Sequence, residues 1–344
     1  MKIPQSLLMR LKENEATATK FNEIEISILT ILNFQDFFEK LLCEISDKFS
    51  IPHIWISIIK ESSIAAQLND IRNSNSELLK ASTAFISKKQ FLSITRNQLK
   101  PILANENPDV FQALIPEIAG YDIGSIAIAP ITLDGEVVGS INQADNNKKR
   151  FEPGIDSSLL EQLALKVSLC LSNVTAHEQL KFLAFHDSLT GLLNRGVMER
   201  ILEREFQRAK RYNTDLTLLF LDLDDFKSIN DTFGHDNGDK ALCLVAEQLT
   251  RLKRGSDIVA RFAGDEFVVI FPSTSKTQAE YYSKRIKKNL TSAPLFVNDM
   301  TFYVKLSYGI STISEKGIDS SKELLKAADK RLYLAKQNKN ILEP

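Results

Sequence analysis

The sequence predicts a mixed α/β protein of two domains joined by a long helix. At 344 residues the chain exceeds what one compact core of ordinary size holds. Its first half sets apolar helical periodicity ahead of strand-like runs and a clear hairpin. Its second half alternates helix and strand signals in the order of a split β-α-β-β-α-β unit.

Residues 1–20 read as an extension ahead of the first domain, which spans 21–175. Ile24, Ile28, Leu32, Phe37, Phe38, Leu41, Leu42 and Ile45 recur at mostly helical spacing and predict one or two helices over 20–49. After Pro52 the run His53-Ile54-Trp55-Ile56-Ser57-Ile58-Ile59 is strand-like, and Ser/Asn clusters over 60–120 predict loops and short helices. Two apolar runs, 125–131 and 136–141, flank Asp134-Gly135 and form a hairpin, so the sheet of this domain is expected to be largely antiparallel.

Beyond Pro153-Gly154 a helix is predicted over 155–185. Leu160, Leu163, Val167, Cys170 and Val174 follow one another at alternating three- and four-residue steps. That seam suits pairing with the same helix of a second subunit, and equally suits packing onto its own domain. The second domain, 186–344, then reads as helix 196–212, strand 216–223, helix 238–252, strands 258–262 and 267–271, helix 276–290, strand 302–312 and helix 321–338. A β-α-β-β-α-β order is the ferredoxin-like arrangement taken by polymerase and cyclase palms.

Composition narrows the function classes. Lys+Arg 43 against Asp+Glu 44 gives a net charge of -1, which argues against a nucleic-acid or membrane partner held by bulk charge. Cys43, Cys170 and Cys243 are widely spaced within apolar runs and read as small core residues, not as a disulfide framework or metal knuckle. No signal-like opening and no apolar stretch near the ~18 residues of a spanning helix is seen, so a cytoplasmic protein is expected.

The chemistry is concentrated in two places. Strand 216–223 is apolar for six residues and then delivers Asp222 and Asp224 on one face. The segment RGSDIVARFAGDEF, 254–267, places Asp265 and Glu266 at a hairpin tip. Gly-Asp alone is ordinary turn chemistry, but in a palm the tip lies beside the end of the first strand. A buried carboxylate is costly unless paired or holding a cation, and hard oxygens of this kind suit Mg²⁺ with phosphates. Two such ions about 4 Å apart activate an attacking hydroxyl and steady a leaving pyrophosphate.

The motifs Asp187-Ser188-Leu189-Thr190, Phe220-Leu221-Asp222-Leu223-Asp224-Asp225-Phe226-Lys227 with Asn230, Gly234-His235 with Gly238-Asp239, Arg261-Phe262-Ala263-Gly264-Asp265-Glu266-Phe267 and Ala328-Asp329-Lys330-Arg331 through Lys336 resemble, in order and spacing, those of GGDEF-type diguanylate cyclases. The resemblance covers about 187–340. It implies condensation of two GTP into cyclic di-GMP with loss of pyrophosphate, by a pair of Mg²⁺ (or Mn²⁺) ions across a homodimer. It further implies that Asp222, the Leu223 carbonyl, Asp265 and Glu266 hold metal, with Asp265 or Glu266 as base. Asn230 and Asp239 would bind guanine, whose N1–H and amine a carboxylate accepts and adenine does not offer. Phe226, Lys227, His235 and Lys336 would complete the nucleotide pocket.

Arg254-Gly255-Ser256-Asp257 resembles the family's inhibitory product site for cyclic di-GMP, with Arg285 as a second cation. Residues 20–175 resemble, more weakly, a GAF-type sensory domain whose small ligand the sequence does not identify. Two departures stand out. Ala263 replaces the first glycine of the signature, where a left-handed φ or a close phosphate could demand glycine. The tail Lys336-Gln337-Asn338-Lys339-Asn340 lacks the usual glycine, which puts Lys339 in question as a phosphate cation. If these departures abolish turnover, the alternative is a receptor for cyclic di-GMP or GTP.

Overall fold

The computed structural model describes residues 5–74, 76–117, 119–297 and 300–342. The chain divides into two compact units, Met1–Leu180 and Lys181–Pro344. In the first, the elements in order are α1 (Gln5–Leu29), α2 (Phe34–Phe49), β1 (His53–Ile59), α3 (Ala65–Ser74), α4 (Glu77–Ala81), β2 (Thr83–Ile86), α5 (Lys88–Thr95), β3 (Ile102–Ala104), a 3₁₀ turn (Pro108–Leu114), β4 (Ser125–Leu133) and β5 (Glu136–Asp145). Helix α6 (Ser158–Phe185) carries the chain across the unit boundary.

The five strands order as β2-β1-β5-β4-β3, antiparallel except for the β1–β2 pair. Period-2 alternation divides β1 between two cores. Ile56 and Ile58 face α1, α2 and α6, whereas Trp55 and Ile59 face α5 and the 3₁₀ turn. The polar residues of the second face satisfy one another: Trp55 Nε1 and Ser57 Oγ both donate to the Leu114 carbonyl at 2.6 and 2.7 Å, and Asn142 Nδ2 donates to Ser57 Oγ at 2.7 Å.

The predicted seam of α6 resolves in favour of its own unit. Leu163, Val167, Cys170 and Val174 are buried in the core with α1 and α2, and Leu160 packs against it. A different apolar set, Leu165, Leu169 and Leu180, is exposed on the same helix. The cysteine expectation is corrected for two of three positions, since Cys43 and Cys243 are exposed and only Cys170 is buried. Cys43 and Cys243 each lie beside buried apolar residues on an amphipathic helix, and apolar neighbours in sequence do not fix which face a residue occupies.

The second unit contains α7 (Arg195–Tyr212), β6 (Leu216–Leu223), α8 (Phe226–Phe233), α9 (His235–Leu252), β7 (Ile258–Ala263), β8 (Glu266–Pro272), α10 (Lys276–Thr291), β9 (Leu295–Val297), β10 (Met300–Phe302), β11 (Leu306–Thr312) and α11 (Ser321–Leu342). Its four-stranded sheet orders as β11-β6-β8-β7, antiparallel throughout, which is the ferredoxin-like order. The single strand predicted over 302–312 is interrupted. Its start belongs to a separate two-stranded β9–β10 ribbon, and only Leu306–Thr312 joins the main sheet.

Leu219, Leu221, Phe267 and Val269 meet α9 and α10 on one face, while Leu218, Phe220, Val268 and Ile270 meet α7 and α11 on the other. Among the described residues no helix is long and apolar enough to cross a membrane.

The register of α11 on the sheet depends on Gly309 of β11. A Cβ there would fall 2.0 Å from the Ala328 carbonyl oxygen and 2.4 Å from the Leu332 nitrogen, both backbone atoms of α11. Gly309→Ala should therefore destabilise the second unit by about 3 kcal/mol or more, at or beyond the upper end for overpacked cores. A urea or thermal titration that left this unit unchanged would show that α11 does not need that approach.

Candidate active site

The end of β6 and the β7–β8 turn bring the predicted acids to one edge of the sheet. Asp222 follows Leu218 and Phe220 in the two-residue alternation and so lies on the α7/α11 face. Its register partner across the strand gap is Glu266, the first residue of β8, which shares that face with Val268 and Ile270. Two acids are thus directly opposed on one sheet face, an unfavourable pairing when both are ionised. Asp265 occupies the turn, and its carbonyl accepts the Leu223 N–H at 3.2 Å, tying the tip to the end of β6.

Gly264 takes a φ of +47°, the left-handed conformation that side chains disfavour. Ala263 is not among the residues with positive φ, and it pairs with Glu266 beyond a register shift in β7. The alanine therefore imposes no left-handed strain. Lys339, the other departure, lies outside the residues whose side chains are described.

A joint that the sequence reading did not use fixes the tip from behind. Arg261 Nε donates to the Gly264 carbonyl at 2.8 Å, and its Nη1 donates to Asp187 Oδ1 and Oδ2 at 2.9 and 3.1 Å. Thr190 donates to Asp187 Oδ1 from its N–H at 2.9 Å and from Oγ1 at 2.7 Å. Burial alone would push the Asp187 carboxyl up, but the Thr190 and Arg261 hydrogen bonds outweigh it and hold it below the usual range. The Asp-x-x-Thr spacing at 187–190 was the available signal. Its partner, 74 residues away, was not readable from the chain.

Lys336 of α11 makes an ion pair with Asp222 Oδ1. The Asp222 side chain is only 9% exposed, and among the described residues that ammonium is the one polar partner of this oxygen. Burial pushes the Asp222 carboxyl up; Lys336 opposes the shift, and the charges of Asp265 and Asp224 reinforce it. Burial also raises Glu266, followed by repulsion from Asp222, Asp265 and Asp329. Asp224 accepts from Ser307 Oγ at 2.7 Å.

Among the described residues no three His, Cys, Asp or Glu side chains close into a ready cage for a metal. The donor set still fits a hard divalent cation. It offers carboxylates from two strand ends, a buried oxygen whose polar partner is an ammonium, and more acids than the one cation paired with them among the described residues.

The predicted guanine residues lie on the α8–α9 pair. Asp225, with φ +56°, turns the chain from β6 into α8. A Cβ on Gly238 would fall 1.9 Å from Asn230 Oδ1 and 3.4 Å from the Phe226 ring, so these three residues pack tightly together. Lys227, His235 and Asp239 are exposed on the same helices.

The Arg254 and Asp257 pair is a built turn. Asp257 is buried and accepts the Arg254 N–H at 2.8 Å, while the Arg254 side chain is exposed. Arg285 is exposed on α10. Burial raises the neighbouring Tyr282 hydroxyl, with Asp257 adding to the shift and Arg285 opposing it, so the charges of both groups reach that ring.

The opposed acids make a stability prediction for the metal-free protein. Glu266 is raised in the folded state, so folding favours its protonated form. That contribution is complete below the unfolded value near pH 4 and is lost as pH rises through the folded value. Glu266→Gln should therefore match the parent near pH 4 and gain about 0.2–1 kcal/mol over it at pH 7, the scale of a relieved cross-strand repulsion. Thermal melts in chelator at both pH values check this, and a parent that is more stable than the variant at pH 7 would overturn it.

Known proteins resemble the second unit in sequence. Residues 184–341 match the family described as "Diguanylate cyclase, GGDEF domain". Probable diguanylate cyclase DgcC of Escherichia coli (strain K12) is 39% identical over 159 residues, 46% of this chain and 42% of that protein. Response regulator PleD of Caulobacter vibrioides (strain NA1000 / CB15N) is 33% identical over 245 residues, 70% of this chain and 49% of that protein. The solved GGDEF domain of DgcB from Caulobacter crescentus, in complex with c-di-GMP, is 30% identical, covers 45% of this chain and 89% of its own, and has a TM-score of 0.43. The chain thus spans less than half the length of these two curated relatives. Residues 184–341 are a GGDEF domain, similar in sequence to those of diguanylate cyclases.

Proposed function

We propose that the chain is a diguanylate cyclase that joins two GTP into cyclic di-GMP and releases two pyrophosphates. The 3′-oxygen of each nucleotide bonds to the α-phosphorus of the other as the bond to pyrophosphate breaks, and each hydroxyl proton passes to Asp265 or Glu266. The observation that carries this reading is the opposed pair of Asp222 and Glu266 beside the Asp265 turn, with the half-buried amide of Asn230 and the exposed carboxylate of Asp239, suited to guanine, on the two helices that follow β6.

Asp222, Asp265, Glu266 and the Leu223 carbonyl would hold Mg²⁺ or Mn²⁺, which when bound neutralises phosphate charge and acidifies the attacking hydroxyl. Asn230 and Asp239 orient guanine, with Asp239 selecting it over adenine. Phe226 backs Asn230, and Lys227, His235 and Lys336 meet the ribose and phosphates.

One domain holds one triphosphate, so two copies must face each other. Because the 160–174 seam is occupied within its own unit, the exposed Leu165, Leu169 and Leu180 of α6 are the residues that favour pairing in a homodimer. Arg254, Asp257 and Arg285 form the proposed inhibitory site for cyclic di-GMP, with both arginines exposed and Asp257 buried in the turn that Arg254 opens. Residues 21–175 are proposed as the GAF-like sensory unit that sets activity through a small ligand.

Incubation of the full chain with GTP and Mg²⁺ should yield cyclic di-GMP. Asp265→Ala should lower the rate by two orders of magnitude or more, a loss of about 2.7 kcal/mol of transition-state stabilisation. No product at high protein concentration would reject the cyclase and favour a receptor. Gly238→Ala checks the guanine assignment separately. Its methyl displaces the flexible end of Asn230 but meets no backbone, so KM for GTP should rise about tenfold with little change in melting temperature. An unchanged KM would remove Asn230 from the pocket.

A further inference from the structure

We infer that Lys336 is the resident counter-cation of the acid cluster in the ligand-free protein, and that it occupies the seat a divalent ion must take. The inference rests on the metal-binding reading of Asp222 above. It adds a statement about the empty state: entry of metal and departure of Lys336 from Asp222 are one exchange.

The geometry for this is built into the fold. Gly309 lets the backbone of α11 lie against β11 at Ala328 and Leu332, and both those side chains are buried in the α7/α11 core. Lys336 follows Leu332 by one helical turn, which places it over the end of β6 on the face that Asp222 occupies. The root of the lysine is therefore fixed, while its four-carbon stem remains free to swing.

The electrostatics point the same way. Asp222 Oδ1 is buried, and the Lys336 ammonium is its one polar partner among the described residues. Asp222 and Glu266 are register partners on one sheet face and still repel each other beside that charge, and among the described residues no three-acid cage is closed around it. A divalent ion at Asp222 would answer more of that charge and would repel the ammonium. Lys336 is 36% exposed, so it can leave the carboxylate for an incoming phosphate without crossing a packed core. Metal and triphosphate should then bind with positive coupling, because each removes an obstacle to the other.

The test uses Mn²⁺ alone, titrated into the full chain without nucleotide and followed by the electron-spin resonance of the free ion. The parent should bind weakly at this site. Lys336→Met should bind at least about tenfold more tightly, equal to ~1.4 kcal/mol, and Lys336→Arg should restore weak binding. The gain should vanish in the Asp222→Asn/Lys336→Met double variant. Equal or weaker Mn²⁺ binding by Lys336→Met, or a gain that survives loss of Asp222, overturns the inference. A chain that makes no cyclic di-GMP yet shows the Asp222-dependent gain would refute the cyclase reading and keep this one. A chain that makes product without the gain would do the reverse.

Discussion

The second unit is organised around two carboxylates that face each other across a strand gap. Because β6 lies between β11 and β8, Asp222 has Ser307 on one side and Glu266 on the other. A central strand gives a carboxylate little access to water, so the charge has to be met from above or below the sheet. Helix α11 meets it from one face with Lys336, and the turn that carries Asp265 closes the edge. The ferredoxin-like strand order is thus a condition for the site, since any order that moved β6 to an edge would let Asp222 be solvated.

Two fixtures hold this arrangement, and they act on different bodies. The Arg261 fork joins the hairpin tip to the Asp187–Thr190 loop, so the turn cannot swing away from the end of β6 without breaking hydrogen bonds to a carboxylate. Gly309 fixes α11 against β11 by backbone proximity and involves no charge. The acids themselves oppose folding when ionised, as the upward displacement of Asp222 and Glu266 indicates. Stability lost at the acids is recovered in the apolar layers on either side of the sheet, the usual relation between a functional cluster and its scaffold.

How much of this was legible in the chain depended on the range of the interaction. Strand β6 was readable to the residue, because six apolar residues followed by acids define both its burial and its end. The β7–β8 hairpin was readable for similar reasons. Helix α8 carries a helical signal, with Phe226, Ile229 and Phe233 three and four residues apart on one face, but eight residues are too short a run to separate from a loop by pattern alone, and the helix forms where Asp225 turns the chain. Strands β2 and β3 were missed because three or four residues are too few to show alternation. The α6 stripe was seen, but periodicity marks an apolar face without naming what covers it. In the site, each acid was visible as a residue type at a strand end. The Lys336 contact and the Arg261 joint were not, because both join segments more than 70 residues apart.

Lysine at position 336 differs from arginine in how it meets Asp222. A guanidinium would fork onto Asp222 through two parallel donors and would compete with any incoming ion as a fixed plate. An ammonium on a flexible stem gives comparable neutralisation through one contact, and it can rotate away while its backbone stays packed. On the metal-binding reading, the buried carboxylate would therefore have a partner strong enough to hold the empty site together and weak enough to yield to a doubly charged ion. That balance also accounts for the open disposition of the acids. A cage closed in advance would need all three carboxylates ionised at short range, whereas burial, and then repulsion from Asp222, Asp265 and Asp329, already raises Glu266.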